Sequence, residues 1–218
     1  MKQTHTNLDL SYSSIFWLFM LGSILGYLLE GFWCILTKGH WEHHAATLWG
    51  PFCIIYGIAA IVLYITAYYI QKQRVWVQLG LLMGVGVLIE YTASLLQEVF
   101  LGSTSWDYSH HYFNIGGRVS LRMAILWGFL GFLFLRFLFA PLTDLLQHMK
   151  GRGWHIVCGC LSLWMGINLL FPGAAVLRWQ RRLDGIPATS PIESYLDRTY
   201  YDEVMSQLFP NMLQFLAD

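Results

Sequence analysis

Residues 86–118 read GVLIEYTASLLQEVFLGSTSWDYSHHYFNIGGR. An apolar run carries Glu90, Ser94 and Glu98 at four-residue spacing, which puts them on one helical face. It then breaks into an aromatic, polar loop ending in Gly116-Gly117-Arg118. On a soluble helix two such carboxylates would be ordinary. This chain, however, is 56% hydrophobic and only 12% charged, against about 25% charged in soluble domains. Its helices are therefore expected to cross a membrane, and the carboxylates stand where lipid should be.

Working outward, five segments match the ~20 residues that a ~30 Å hydrocarbon core requires: 15–36, 48–70, 75–100, 120–141 and 154–177. The expected fold is an all-α integral membrane protein, a compact bundle of about five transmembrane helices with a short C-terminal polar helix. Residues 1–14 form an N-terminal segment, 15–177 the membrane domain and 178–218 a polar tail. No signal-peptide pattern fits the first span, which is expected to stay in the mature chain. With side A holding the N-terminus, side B holds the 37–47 and 101–119 loops and the tail. Lysines and arginines divide almost evenly between the two sides, so the positive-inside rule leaves orientation open.

Small residues recur at helical spacing: Gly22, Gly26 and Cys34 around Glu30; Gly50, Cys53, Gly57 and Ala60; Gly80 and Gly84; Gly159, Ser162 and Gly166, with Asn168 nearby. Such spacing lets helices approach closely in lipid and predicts the seams of one bundle. In the tail, Ser190-Pro191-Ile192-Glu193 combines an N-cap serine, a first-turn proline and a third-position glutamate. It predicts one helix over 191–207, ended by Pro210, and packing on its own bundle is preferred to docking on a partner. Cys34, Cys53, Cys158 and Cys160 make no CxxC or zinc spacing and read as packing residues.

Depth sharpens the carboxylate signal. Glu90 lies ten residues inside the side B end of its span, or ~15 Å, and Glu30 six residues, or ~9 Å. Arg118 and Arg122 start the fourth span, and Glu98 and Asp107 lie at the same interface. A mid-membrane carboxylate costs several kcal/mol unless it is paired, protonated or wet. Pairing with Arg118 or Arg122, a neutral glutamate, and a polar cavity are the three ways out; a ligand pocket is preferred over a purely internal salt bridge. Trp106-Asp107-Tyr108 is expected to fold back over that pocket, while Trp41 and Trp49 fit an interfacial belt. His40, His43, His44, His110 and His111 share side B and form a weak alternative metal site; no metal or other cofactor is expected. Zero net charge argues against nucleic acid. No P-loop, GxSxG elbow or HExxH is present, which removes ATP hydrolysis by this chain alone and lowers the standard hydrolases.

GYLLEGFW at 26–33, LWGPFCIIYG at 48–57, EYTASLLQE at 90–98, WDYS at 106–109 and FNIGGR at 113–118 together resemble the ABC-transporter permease family of the CmpB type. RWQRRLDGIP at 178–187 and FPNM at 209–212 resemble its longer bacterial members. The resemblance implies a multi-pass protein of a bacterial inner membrane, with recurrent polar positions at Glu30, Tyr56, Glu90, Trp106, Asp107, Tyr108, Asn114 and Arg118. With Ser94, Glu98 and Arg122 these make the candidate pocket. Expected partners are membrane lipids, a separate ATPase or other subunit, and a second copy of the chain. Transport is the first functional expectation. The alternatives are a membrane enzyme acting on a lipid or lipid-linked substrate, with Glu90 or Asp107 as acid or base and Arg118 as clamp, and a scaffold recruiting a partner through its tail.

Overall fold

A computed structural model describes residues 8, 10–42, 47, 49–102 and 104–209. Among them the chain is helical: α1 (Tyr12–Lys38), α2 (Ile54–Ile70), α3 (Val75–Leu101), α4 (Leu121–His148), α5 (Arg152–Leu183), α6 (Pro191–Thr199) and α7 (Asp202–Leu208). The first, third, fourth and fifth of these are long and apolar enough to cross a membrane. α2 is apolar but has 17 residues.

The shortening of α2 is the main departure from the expected spans. Residues 49–53 are not helical, and Gly50 takes a left-handed φ of 90° ahead of Pro51. A residue before proline is disfavoured in the right-handed helical region, so the helix is delayed to Ile54. The Cys53 N–H donates to the Ser23 carbonyl at 3.1 Å, and Ser23 lies eleven residues into α1, or ~17 Å from its start. The connection thus enters from side B and turns at mid-depth. Non-helical backbone is tolerated there only where protein covers it. Asn168 of α5, fully buried, supplies that cover. Its Oδ1 accepts from the Trp49 N–H at 3.0 Å and its Nδ2 donates to the Trp49 carbonyl at 2.6 Å.

α4 runs beyond its expected end, through Pro141 to His148. A π-turn at Phe134–Leu138 precedes the proline. Proline inside a helix lacks an N–H and crowds the carbonyl four residues back, and a one-residue widening of the turn relieves that crowding. α5 likewise continues to Leu183, past the expected span end at 177.

The helices pair as α1 with α2 and α3 with α4, and α2 joins the two pairs. Their close approach uses some of the expected small residues. A Cβ on Gly22 would lie 2.4 Å from that of Ala60, one on Gly26 2.1 Å from that of Tyr56, and one on Gly86 2.3 Å from that of Trp127. Gly80, Gly84, Gly159 and Gly166 face open space instead, so among the described residues they seam nothing. Gly50 belongs to the mid-depth turn, not to the α2 stripe. The main apolar core, including Phe16, Trp17, Tyr64, Leu82, Phe139 and Cys158, fills the side A half. The buried carboxylate Glu90 lies in the side B half.

The tail packs on its own bundle. Leu196, Met205 and Phe209 bury against Ala175, Val176 and Trp179 of α5. Arg178 donates to Asp197 through Nε at 2.8 Å and Nη2 at 2.7 Å, and Arg182 joins Asp197 and Asp202. The expected single helix is two, broken at Tyr200 and Tyr201. Ser190 caps the first by accepting from the Glu193 N–H at 3.2 Å, and Glu193 reaches back to the Thr189 N–H at 2.6 Å. The expected stop at Pro210 lies outside the described residues.

Candidate functional site

α3 carries Glu90, Ser94 and Glu98 up one face towards side B, as their spacing requires. Gly102 ends the helix at φ 63°, and the chain turns into the 102–120 loop. That loop is folded by its own polar side chains. Asp107 accepts from the Ser109 N–H at 2.8 Å and from its hydroxyl at 2.9 Å. Asn114 donates to the carbonyls of Ser109 and His111, at 3.0 and 2.9 Å, and accepts from the Gly117 N–H at 3.1 Å. Gly117 has φ 69°, and a Cβ there would lie 2.6 Å from Asp107 Oδ1. Glycine is therefore required on both steric and conformational grounds. The Tyr108 N–H donates to the Gly117 carbonyl at 2.7 Å, and the Trp106 indole donates to the Arg118 carbonyl at 2.9 Å. The aromatic loop is thereby held back against α3.

Two polar layers result. The outer one is a cavity of about 310 Å³ whose lining includes Ser94, Glu98, Trp106, Asp107 and Arg118. Arg118 donates to Ser94 Oγ at 3.1 Å, pairs with Glu98 and lies 5.9 Å over the Tyr91 ring. The Ser109 backbone N–H, helped by the Ser109 hydroxyl, holds the Asp107 carboxyl below its ordinary range.

The inner layer holds two carboxylate–phenol pairs. Tyr108 donates to Glu90 Oε1 at 3.1 Å, and Tyr56 donates to Glu30 Oε1 at 2.6 Å. Glu90 is 5% exposed, and among the described residues its Oε2 has no hydrogen-bond partner. Trp127 of α4 lies against Gly86, one helical turn before Glu90. Trp127 also packs on Tyr56, ring centroids 5.6 Å apart, and so joins the two pairs. Burial first, and the neighbouring Glu90 second, push the Tyr108 hydroxyl above its ordinary range, keeping it a donor. His111 stacks on the Tyr108 ring at 5.2 Å.

Of the expected site residues, Arg122 stands apart: it is exposed and lies outside both layers. Neither arginine pairs with Glu90, because Arg118 is taken by Glu98 one helical turn above Ser94. Trp127 and Asn168 were not among the candidates. Trp127 sits in an apolar helix with nothing to mark it, whereas Asn168 is an amide in an otherwise apolar stretch, which is a usable signal. Among the described residues no group of three or more metal-ligating side chains converges. His40 approaches Glu42 at 3.3 Å, and His43 and His44 lie outside the described residues.

A protein-family model described as "Putative ABC-transporter type IV" matches residues 17–172, which include α1 from Trp17 onward, α2 to α4, the loop and most of α5. No curated protein matches the chain significantly. No solved structure does so either.

Proposed function

The chain belongs to the ABC-transporter type IV family, and on that premise we propose that it is a permease-type transport protein whose substrate path runs through the side B cavity to Glu90. One observation carries the reading. Glu90 is buried within an apolar span, has no ion pair, leaves one carboxyl oxygen open, and is held by Tyr108 of the loop that walls the outer cavity. An intramembrane carboxylate without a cation is a functional site by default, because bundle stability alone would favour an apolar residue there. Arg118 and Glu98 hold the mouth, Trp106 to Tyr108 form its cover, and Glu30 with Tyr56 is the second acceptor. Energy comes from a separate ATPase subunit or from a coupled ion, and the membrane is a bacterial inner membrane.

The lipid-enzyme reading has less support. Both oxygens of Asp107 are engaged by Ser109, and Arg118 is already neutralised by Glu98, so neither the external acid nor the clamp stands free. The scaffold reading is weakened by the tail, whose buried face is used on α5.

The test is uptake of radiolabelled methylammonium and of labelled amino acids into proteoliposomes. Wild type is expected to take up at least one class above empty vesicles. Glu90→Gln, nearly isosteric and still able to accept from Tyr108, is expected to lose at least 90% of that uptake while unfolding at an unchanged temperature. Wild-type uptake by Glu90→Gln, or none of either class by wild type, would count against the proposal.

A further inference from the structure

A second cavity lies on the membrane side of the bundle. α1 and α4 diverge over α2 and leave a lateral groove of about 320 Å³. Leu25 and Leu29 line the α1 wall, Leu133 and Phe137 the α4 wall, and Ala59 and Ala60 the floor. Between Leu18 and Leu29 it follows α1 for ~17 Å. One end of this apolar trough is closed by Tyr56 and Trp127, and behind them the Tyr56 hydroxyl holds Glu30, while Trp127 lies against Gly86, one helical turn before Glu90.

No cation matches the acids at that end: among the described residues neither Glu30 nor Glu90 carries an ion pair, and the nearby Arg118 is committed to Glu98. Glu90 is more than nine-tenths buried, with Oε2 unpartnered. An apolar trough open to lipid, closed at one end by Tyr56 and Trp127 with two acids behind them, is complementary to an alkyl chain with a cationic head.

We infer that the groove is a lateral, bilayer-side binding site for a single-chain alkylammonium amphiphile, whose chain lies between α1 and α4 and whose ammonium group is received by Glu30 and then Glu90. This rests on the transport reading for its destination but not for its binding. Burial of each methylene adds nothing relative to lipid tails, so the selectivity resides in the head group, where an ammonium in low dielectric gains from two carboxylates what a neutral head does not. The trough fixes the direction of approach, and the Tyr56–Trp127 pair is the gate.

The test is photo-crosslinking in phosphatidylcholine nanodiscs with a dodecylamine carrying a mid-chain diazirine, mapped by mass spectrometry. Adducts are expected to concentrate on residues 18–29 and 130–142, and unlabelled dodecylammonium is expected to compete at least tenfold better than dodecanol. Glu30→Gln, which keeps an acceptor for Tyr56, is expected to abolish that preference. Leu25→Trp and Leu29→Trp, both at exposed positions, are expected to cut labelling at least fivefold without altering unfolding. Even labelling of all lipid-facing helices, or equal competition by dodecanol, overturns the inference and leaves an ordinary bilayer chain. Displacement by phosphatidylethanolamine as strong as by dodecylammonium also overturns it, in favour of a resident lipid. Groove labelling as expected, with Glu90→Gln uptake normal, keeps the groove and removes the transport reading. Even labelling with uptake lost in Glu90→Gln does the reverse.

Discussion

Asn168 shows how one side chain decides local architecture. Trp49 lies on non-helical backbone at mid-depth, where lipid offers neither donor nor acceptor. The carboxamide satisfies its N–H and its carbonyl at once. Asn168→Ala removes both partners and leaves two backbone groups unsatisfied at a depth where lipid offers no replacement, a cost of about 2–4 kcal/mol. The expected result is a lower midpoint in denaturant-induced unfolding of the purified protein, together with faster proteolysis near Trp49. An unchanged midpoint would show that water reaches the turn. Glu90 is the converse case. It is legible in sequence because a carboxylate in an apolar run is conspicuous, but its partner is not. Arg118 and Tyr108 both lie in range along the chain, and only folding assigns the phenol to Glu90 and the guanidinium to Glu98 and Ser94.

Among the helices, the contrast between working and idle glycines is testable. Gly26 lies against Tyr56, so an added methyl forces that ring aside and with it the hydroxyl that holds Glu30. Gly26→Ala is expected to destabilise the α1–α2 pair by about 1–3 kcal/mol, the usual range for overpacking. Gly166 meets nothing, and Gly166→Ala should be neutral or stabilising by up to about 1 kcal/mol through helix propensity. Equilibrium unfolding of both variants measures the difference; equal effects would remove the seam argument. Spacing alone marked both sites alike, because a repeat gives the face of a helix but not the neighbour that occupies it. The start of α2 departs from its expected place for a related reason: Trp49 to Cys53 is apolar enough to read as helix, while Gly50-Pro51 and the Ser23 carbonyl direct it otherwise.

For the molecule as a whole, the tail is a clamp. α6 and α7 close over the side B end of α5, and the Gln180 side chain donates to the Leu101 carbonyl at the end of α3. Asp197 receives Arg178 and Arg182, and these bonds, Arg178 first, hold its carboxyl below the ordinary aspartate range. A group whose folded-state pKa is depressed stabilises the fold above its unfolded value, about 3.9, and that contribution is lost as pH falls through the folded value. Protease resistance of residues 186–209 is therefore expected to hold between pH 5 and 8 on this account, and to fall below about pH 4. Asp197→Asn should remove the protection at neutral pH; a tail equally resistant in both proteins would put its docking on the apolar contacts alone.

The sequence by itself determined the membrane class, the approximate helix positions, the carboxylates at depth and the residues of the loop, because composition, length and spacing act locally along the chain. Tertiary structure alone decided which acid meets which donor, how Asn168 shelters the mid-depth turn, and which glycines are in contact. It also decided that Glu90 is buried and held by a tyrosine of the loop whose residues line the outer cavity. Each of these depends on residues from separate helices, and their juxtaposition is set by packing that no single stretch encodes. Glu90, Ser94 and Glu98, conspicuous at first for their depth, thus take different partners once folded: Tyr108 for Glu90, and Arg118 for both Ser94 and Glu98.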